Sequence, residues 1–257
     1  MHKKYFFFDI DGTLLSEIDK KMPASCKQAL RLLEKNGHFV AIATSRPYCG
    51  TYLTAKEMEI KNFVCDGGDG LVINQEVIEI LPLDLENCKA LAKECLQANI
   101  PIATSIDTTN NRYSPDDTFI TSYPYLKDAF DFVTLEGFDV LQATAIHKMC
   151  INCSKQEEVF LPSLKKVPHY RLDEHMILVE ATDKYNGIIK MMNYLNAPLE
   201  DVVVFGDGIN DLSMFSKAPI SIAMGNAVPT LKEIATYITT NASDDGIYNA
   251  CVHFQWI

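Results

Sequence analysis

Apolar runs of strand length alternate with amphipathic runs of helix length at both ends of this chain. Tyr5-Phe6-Phe7-Phe8 is an unbroken aromatic run closed by Asp9-Ile10-Asp11-Gly12-Thr13, and such a run predicts a short strand buried on both faces. Pro23 and Ala24 open a helical pattern through Ala29, Leu30, Leu32 and Leu33 that stops at Asn36-Gly37. Proline near the start and glycine past the end suit helix termini. His38 to Ala43 is the next strand, ending in Thr44-Ser45-Arg46-Pro47. A helix over residues 48–59 and a strand at Phe63-Val64-Cys65, closed by Asp66-Gly67-Gly68, follow. Strand, helix, strand, helix, strand with polar strand ends predicts a parallel, doubly wound sheet. The alternation resumes at Asp183 with a helix over 186–196 and the strand Val202-Val203-Val204-Phe205, which ends in Gly206-Asp207-Gly208-Ile209-Asn210-Asp211. A helix to about 217, a strand over 220–223, a helix near 228–235 and a last helix after Asp244 complete it.

In between, the pattern changes. Residues 71–78 read as a hairpin, and the following hundred or so as a separate α+β unit. Helices are predicted there over 84–98, 121–132 and 154–166, and strands near 100–104, 145–153, 168–172 and 176–181. Residues 107–117 are polar and read as an exposed loop. The insert is expected to close its own core around Leu91, Leu96, Phe130, Met149 and Ile151. The expected fold class is therefore α/β, a doubly wound parallel sheet at residues 1–82 and 182–257, with an inserted α+β domain at 83–181. A length of 257 residues suits one domain with a sizeable insertion.

Composition narrows the function. Hydrophobic residues at 47% are enough for a core, and a net charge of −11 argues against nucleic acid or an anionic membrane as partner. His2-Lys3-Lys4 leads into only four aromatics before Asp9, so no secretory leader is expected, and no apolar run approaches a membrane span. Eight cysteines without a tight framework predict free thiols in a cytoplasmic protein.

The period of a strand puts Asp9 and Asp11 on one side of the chain, where the first strand ends. Taken alone, that stretch reads equally as an Asp-rich turn or as a working carboxylate pair. In open parallel sheets the ligand site lies at the carboxyl ends of the strands. Asp9, Asp11, Thr44, Ser45, Arg46, Asp207 and Asp211 all fall at such ends. Carboxylates gathered there raise one another's pKa, and a hard divalent cation resolves the conflict. Mg²⁺ takes a few carboxylates, keeps several waters and shares phosphate oxygens. With the Thr44 hydroxyl and Lys184 at a helix start, the set amounts to a phosphate-binding site in which Asp9 reaches the phosphorus.

Asp9-Ile10-Asp11-Gly12-Thr13, Thr44-Ser45-Arg46, Lys184 and Gly206-Asp207-Gly208-Ile209-Asn210-Asp211 resemble the four ordered motifs of haloacid dehalogenase-like (HAD) phosphatases. The size and place of the insert, with Ala223-Met224-Gly225-Asn226-Ala227 near the end, resemble the Cof-type branch. The resemblance spans nearly the whole chain. It implies a Rossmann-like core with a cap, and hydrolysis of small phosphorylated metabolites such as sugar phosphates. Asp9 would be the nucleophile that forms an aspartyl-phosphate, and Asp11 the general acid and then base. Thr44, Ser45, Lys184, Asn210 and Arg46 would attend the phosphoryl group, with Arg46 equally open to a structural role. Asp9, Asp11 (through its carbonyl), Asp207 and Asp211 would attend Mg²⁺, Asp211 by orienting a metal water or the lysine. A phosphotransferase or mutase on the same core, and a non-catalytic phosphate sensor, are the alternatives. The expected partner is a small metabolite and not nucleic acid or membrane, for a monomer or homodimer.

Three departures stand out. Ser45 replaces the commoner glycine, Asp66-Gly67-Gly68 stands where Asn-Gly-Ala is usual, and Gly187 comes later after the lysine than is common. Lys190 is a rival phosphate lysine but falls mid-helix, where a solvated face is expected. Cys150-Ile151-Asn152-Cys153 with His147 matches a metal-ligand spacing, yet residues three apart on a strand face opposite ways. Trp256 reads as a packing anchor, and His169, Tyr170 and His175 as surface or core residues.

Overall fold

The structure, a computed structural model, describes residues 2–122 and 131–257. The chain divides into two compact units, one of residues 1–46, 51–79 and 183–257 and one of 47–50 and 80–182.

The first unit opens with β1 (Tyr5–Phe8), α1 (Ala24–Lys35), β2 (Phe39–Ala43), α2 (Tyr48–Glu57), β3 (Phe63–Cys65), β4 (Gly70–Ile73) and β5 (Glu76–Ile80). The turn from β4 to β5 is Asn74-Gln75 with φ of 51° and 69°, the double left-handed turn that matches strand twist in a two-residue hairpin. The second unit holds α3 (Leu85–Gln97), β6 (Ile102–Ser105), β7 (Asn111–Ser114), α4 (Thr118–Ser122), β8 (Asp131–Thr134), β9 (Lys148–Asn152), β10 (His169–Arg171) and β11 (Met176–Val179). The chain returns to the first unit with α5 (Lys184–Tyr194), β12 (Val202–Gly206), α6 (Leu212–Phe215), β13 (Ile220–Ala223), α7 (Pro229–Ile234), β14 (Tyr237–Ile238) and α8 (Gly246–His253).

The first unit's sheet runs β14-β13-β12-β1-β2-β3-β4-β5, with β1 parallel to β2 and β12 on either side. The order progresses one way through β2 and the other way through β12, so β1 is the topological switch point where such sheets hold ligands. The aromatic run supplies what a central strand needs, a side chain for each face. Phe6, Phe7 and Phe8 are all fully buried. Phe7 joins Val64, Val204, Ile188 and Met191 under α5. Phe6 meets Trp256 edge-on at 4.9 Å on the opposite face. Burying a side chain of this size contributes about 1.5–3 kcal/mol, so β1 is fixed before any chemistry is added at its end.

The second unit's sheet runs β10-β11-β9-β6-β7-β8, mostly antiparallel, with β7 and β8 parallel. One face packs on α3 through Leu91, Ala92, Met149, Ile151 and Val179. Cys153 belongs to that cluster, whereas Cys150 lies with Phe119 and Leu178 in another, so the C-x-x-C thiols point into different cores.

Several sequence expectations for this unit need correction. The helix expected over 154–166 is two 3₁₀ turns, Glu157–Phe160 and Pro162–Lys166. Pro162 has no N–H to continue a helix and forces Leu161 out of helical geometry, to φ −118° and ψ 59°. The loop expected at 107–117 contains β7, whose Arg112 and Ser114 are buried. Polar residues on the inward positions concealed the strand. Leu96 is 46% exposed and outside the core. The helix expected at 121–132, and Phe130 with it, falls mainly on 123–130, outside the described residues, while Asp131 and Phe132 are in β8.

Candidate active site

Asp9 follows β1 directly, its N–H donating to the Phe205 carbonyl at 3.0 Å, so the strand ladder carries the residue into the sheet. Its side chain is buried, and its Oδ1 accepts from Lys184 Nζ at 2.6 Å. Lys184 is the first residue of α5, whose N-cap Asp183 accepts from the Asn186 N–H at 3.1 Å. The ammonium has no solvent exposure and reaches Asp211 Oδ1 at 2.6 Å as well. Burial alone would push the lysine down, but the charges of Asp211 and Asp9 outweigh it and its pKa is raised. Lys190, the rival, pairs with Glu79 at 2.6 Å.

Asp207 and Asp211 leave β12 in the 206–211 turn. Asp211 Oδ2 accepts from the backbone N–H groups of Asp207 and Gly208, each at 3.0 Å. Asp211 therefore ties the lysine to the loop that carries Asp207. Gly206 is required there, because a Cβ on it would sit 2.5 Å from Asp211 Oδ2. Thr13 donates to Asp207 Oδ1 at 3.2 Å, and Asn226 Nδ2 donates to Asp207 Oδ2 at 3.2 Å and to the Gly12 carbonyl at 2.8 Å. No role was assigned to Asn226 from sequence. It lies in the 223–227 stretch that resembles the Cof-type branch, but a Gly-Asn step after an apolar strand is also what ordinary turns share.

Asp9, Asp207 and Asp211 each offer an oxygen within 4.8 Å of the others. Burial, then the charge of Asp211, pushes the Asp9 carboxyl up to about 8 against the pull of Lys184. Burial and Asp211 likewise push Asp207 up to about 6. One ammonium, shared by Asp9 and Asp211, cannot balance three carboxylates, so without a further cation the cluster favours holding protons. An all-oxygen set of this kind fits a hard divalent cation such as Mg²⁺.

Asp11 lies apart from that cluster. Its carboxylate is 52% exposed and takes both Arg46 Nε at 2.8 Å and Nη2 at 2.6 Å. The third Arg46 nitrogen, Nη1, donates to Thr54 Oγ1 at 3.0 Å. Thr44 is buried after β2, and its Oγ1 accepts from the Arg46 N–H at 3.1 Å, which leaves the hydroxyl proton for another acceptor. Asn210 Nδ2 donates to Ser45 Oγ at 3.3 Å. The sheet thus carries Asp9, Asp11, Thr44, Ser45, Arg46, Asp207, Asn210 and Asp211 just past the ends of β1, β2 and β12, with Lys184 reaching in from the start of α5 and Asp11 and Arg46 facing each other.

Two of the three departures fit their local structure. Asp66 has φ of 48°, a left-handed conformation that Asp and Asn both tolerate. Its N–H donates to the Arg46 carbonyl at 2.9 Å, bracing the 44–46 turn. Gly187 lets α5 lie against β3, since a Cβ there would meet Val64 Cγ1 at 2.4 Å and Gly68 Cα at 3.0 Å.

A family model described as haloacid dehalogenase-like hydrolase matches residues 6–251. The chain is 31% identical over 258 residues to a putative phosphatase, YkrA, of Bacillus subtilis (strain 168), covering 96% of each. It is 25% identical over 259 residues to the 5-amino-6-(5-phospho-D-ribitylamino)uracil phosphatase YitU of the same organism, covering 93% of each. Among solved structures, a sugar phosphatase of HAD subclass IIB matches with a TM-score of 0.78 and 28% identity, over 99% of this chain and 100% of that one. No helix among the described residues is long and apolar enough to cross a membrane.

Proposed function

The chain belongs to the haloacid dehalogenase-like hydrolases and is a phosphatase of that family; on that premise we propose that it hydrolyses small phosphorylated metabolites with Mg²⁺ through an aspartyl-phosphate at Asp9. The observation that carries this reading is the buried Asp9 carboxylate at the switch point, with one oxygen on Lys184 at 2.6 Å.

In the first half of the reaction an Asp9 oxygen bonds to phosphorus as the bond to the leaving oxygen breaks, and Asp11 gives that oxygen its proton. In the second half Asp11, now a carboxylate, takes a proton from water while the water oxygen bonds to phosphorus. The bond to Asp9 breaks, and inorganic phosphate leaves. Two modest displacements replace one difficult one, with the same group serving as acid and then base. Lys184 and the Thr44 hydroxyl face the charge on the phosphoryl oxygens, and Ser45 and Asn210 flank them. Asp9, Asp207 and the Asp11 carbonyl would hold Mg²⁺, which supplies further charge neutralisation at phosphorus. Asp211 holds the lysine and the Asp207 loop.

Two of the named relatives are by name a sugar phosphatase and a 5-amino-6-(5-phospho-D-ribitylamino)uracil phosphatase, so phosphate esters of polyhydroxylated carbon chains are the proposed substrate class. Residues 83–181 would serve as a cap that sets the choice among them. Eight free cysteines fit a cytoplasmic enzyme. Phosphate release from a panel of phosphorylated sugars and sugar alcohols, with Mg²⁺ and with chelator, tests the proposal. Turnover that survives the chelator, or no release from any member, overturns it.

A further inference from the structure

We propose that Arg46 is a positioning residue that aims the Asp11 carboxylate, and not a contact for the substrate phosphoryl group. The inference rests on the reading of Asp11 as acid and base: the fork matches the carboxylate that takes the water proton in the second half-reaction, and each oxygen keeps a second lone pair that can carry the proton given in the first. Its starting point is which partner of the ion pair is anchored. Arg46 is anchored at its backbone and at Nη1. Its N–H donates to Thr44 Oγ1 at 3.1 Å, and its carbonyl accepts from the Asp66 N–H at 2.9 Å and from Thr51 Oγ1 at 3.2 Å. Its Nη1 is pinned to Thr54 Oγ1 on α2 at 3.0 Å.

Asp11 is fixed only through its main chain, where the turn that follows is closed by Gly12 N–H to the Leu15 carbonyl at 3.0 Å. Its side chain is 52% exposed, and in water a short carboxylate at that exposure samples several rotamers. The guanidinium fork removes that freedom. Nε and Nη2 meet the two carboxylate oxygens at 2.8 Å and 2.6 Å, a planar two-point match that defines direction as well as distance. Lysine, a point charge, cannot reproduce it.

Orientation of a catalytic group contributes to rate only when the group is held where it acts. Three of the five guanidinium N–H groups serve Asp11 and Thr54, which fixes the plane of the fork on the Asp11 carboxylate.

The test is a double-mutant cycle on alkyl phosphates with Mg²⁺. Asp11→Asn comes first, and an undiminished kcat there would overturn the acid–base reading and this inference with it. Given that loss, Arg46→Ala should lower kcat by roughly 10²-fold, the low end of general acid–base contributions. KM and the inhibition constant of inorganic phosphate should change by less than about threefold, because no phosphate contact has been removed. Arg46→Lys should not restore kcat. Added to Asp11→Asn, Arg46→Ala should cost nothing further, as expected of residues acting as one unit. Thr54→Val, which leaves the fork in place and loosens its anchor, should give a smaller loss of the same kind. Raised KM and phosphate inhibition constants with kcat kept would make Arg46 a phosphate contact. Losses that multiply in the double variant would make the two residues independent. Either result overturns the proposal.

Discussion

Lys184 and Asp9 are 175 residues apart in the chain and 2.6 Å apart in the fold. The pair joins the carboxyl end of β1 to the first turn of α5, the helix that follows the insert. Neither side chain is exposed beyond a few per cent, so the ammonium is the internal counter-charge for Asp9 and Asp211.

Removing that counter-charge should be severe. In Lys184→Met the apolar stem is retained while two buried carboxylates lose their shared partner. Breaking a buried pair from one side costs about 3–5 kcal/mol. The variant should show a marked drop in denaturant midpoint with an unchanged m-value, and Mg²⁺ should recover part of the loss. A midpoint within error of wild type would mean that the pair adds nothing to stability.

The raised carboxyls give a pH prediction. Asp9 is pushed up to about 8 and Asp207 to about 6, against an ordinary value of 3.8. Between about pH 4 and pH 8 the folded, metal-free protein therefore binds more protons at these groups than the unfolded chain does. Stability from this source is present at low pH and is lost as pH rises through 6 and then 8. Metal-free Tm should fall over that window. Asp9→Asn, which cannot ionise, should flatten the fall, raise Tm at pH 8 and abolish turnover. Mg²⁺ competes with the same protons, so its stabilisation of wild type should be larger at pH 8 than at pH 5. Thermal melts with and without Mg²⁺ at the two pH values check the stability shifts and phosphate release checks the loss of turnover; a Tm gain independent of pH would argue against binding at these carboxylates.

Much of this architecture was legible because the first unit's strands are continuous apolar runs that stop abruptly at polar residues. Tyr5–Phe8 and Val202–Gly206 carry their own boundaries. The two-residue strand β14 did not, since Tyr237-Ile238 is too short to carry a period. In the second unit β7 was hidden by Arg112 and Ser114, polar residues on buried positions. The broken helix after Ser154 followed from Pro162, which the apolar pattern alone overrode. At the site, spacing identified the carboxylates and the lysine. It could not say that Asp11 would turn toward Arg46 or that Asn226 would hold Asp207, because those contacts arise only when distant strand ends meet.

Gly12 joins backbone conformation to the carboxylate cluster. Its φ is +82°, and a Cβ added there would lie 2.2 Å from Asp207 Oδ2. Gly12→Ala should cost about 1–2 kcal/mol for the left-handed backbone alone. The larger consequence is local: the Asp207 carboxylate must swing off Asn226 and Thr13 to make room. Mg²⁺ affinity, followed by calorimetric titration, should fall by at least roughly tenfold, the scale of lost outer-shell support. Unchanged affinity in a folded Gly12→Ala protein would show that Asp207 can move without weakening the site.

The last prediction separates the two half-reactions at Asp11. A nitrophenolate leaves from phosphorus without a proton, whereas an alkoxide needs one, so a lost general acid is felt only by the second kind of ester. Asp11→Asn should slow aspartyl-phosphate formation from alkyl phosphates by roughly 10²–10⁴-fold, while formation from nitrophenyl phosphate stays near the wild-type rate. Hydrolysis of the intermediate is common to both substrates and also loses its base. With nitrophenyl phosphate the variant should therefore release a rapid burst of nitrophenolate and then stall with phosphate on Asp9. Rapid-quench trapping of the labelled protein measures the accumulation directly, and with Asp9→Asn added no label should be retained. Equal slowing of the burst on both esters would remove Asp11 from the acid role. A normal burst with undiminished steady turnover would remove it from the base role.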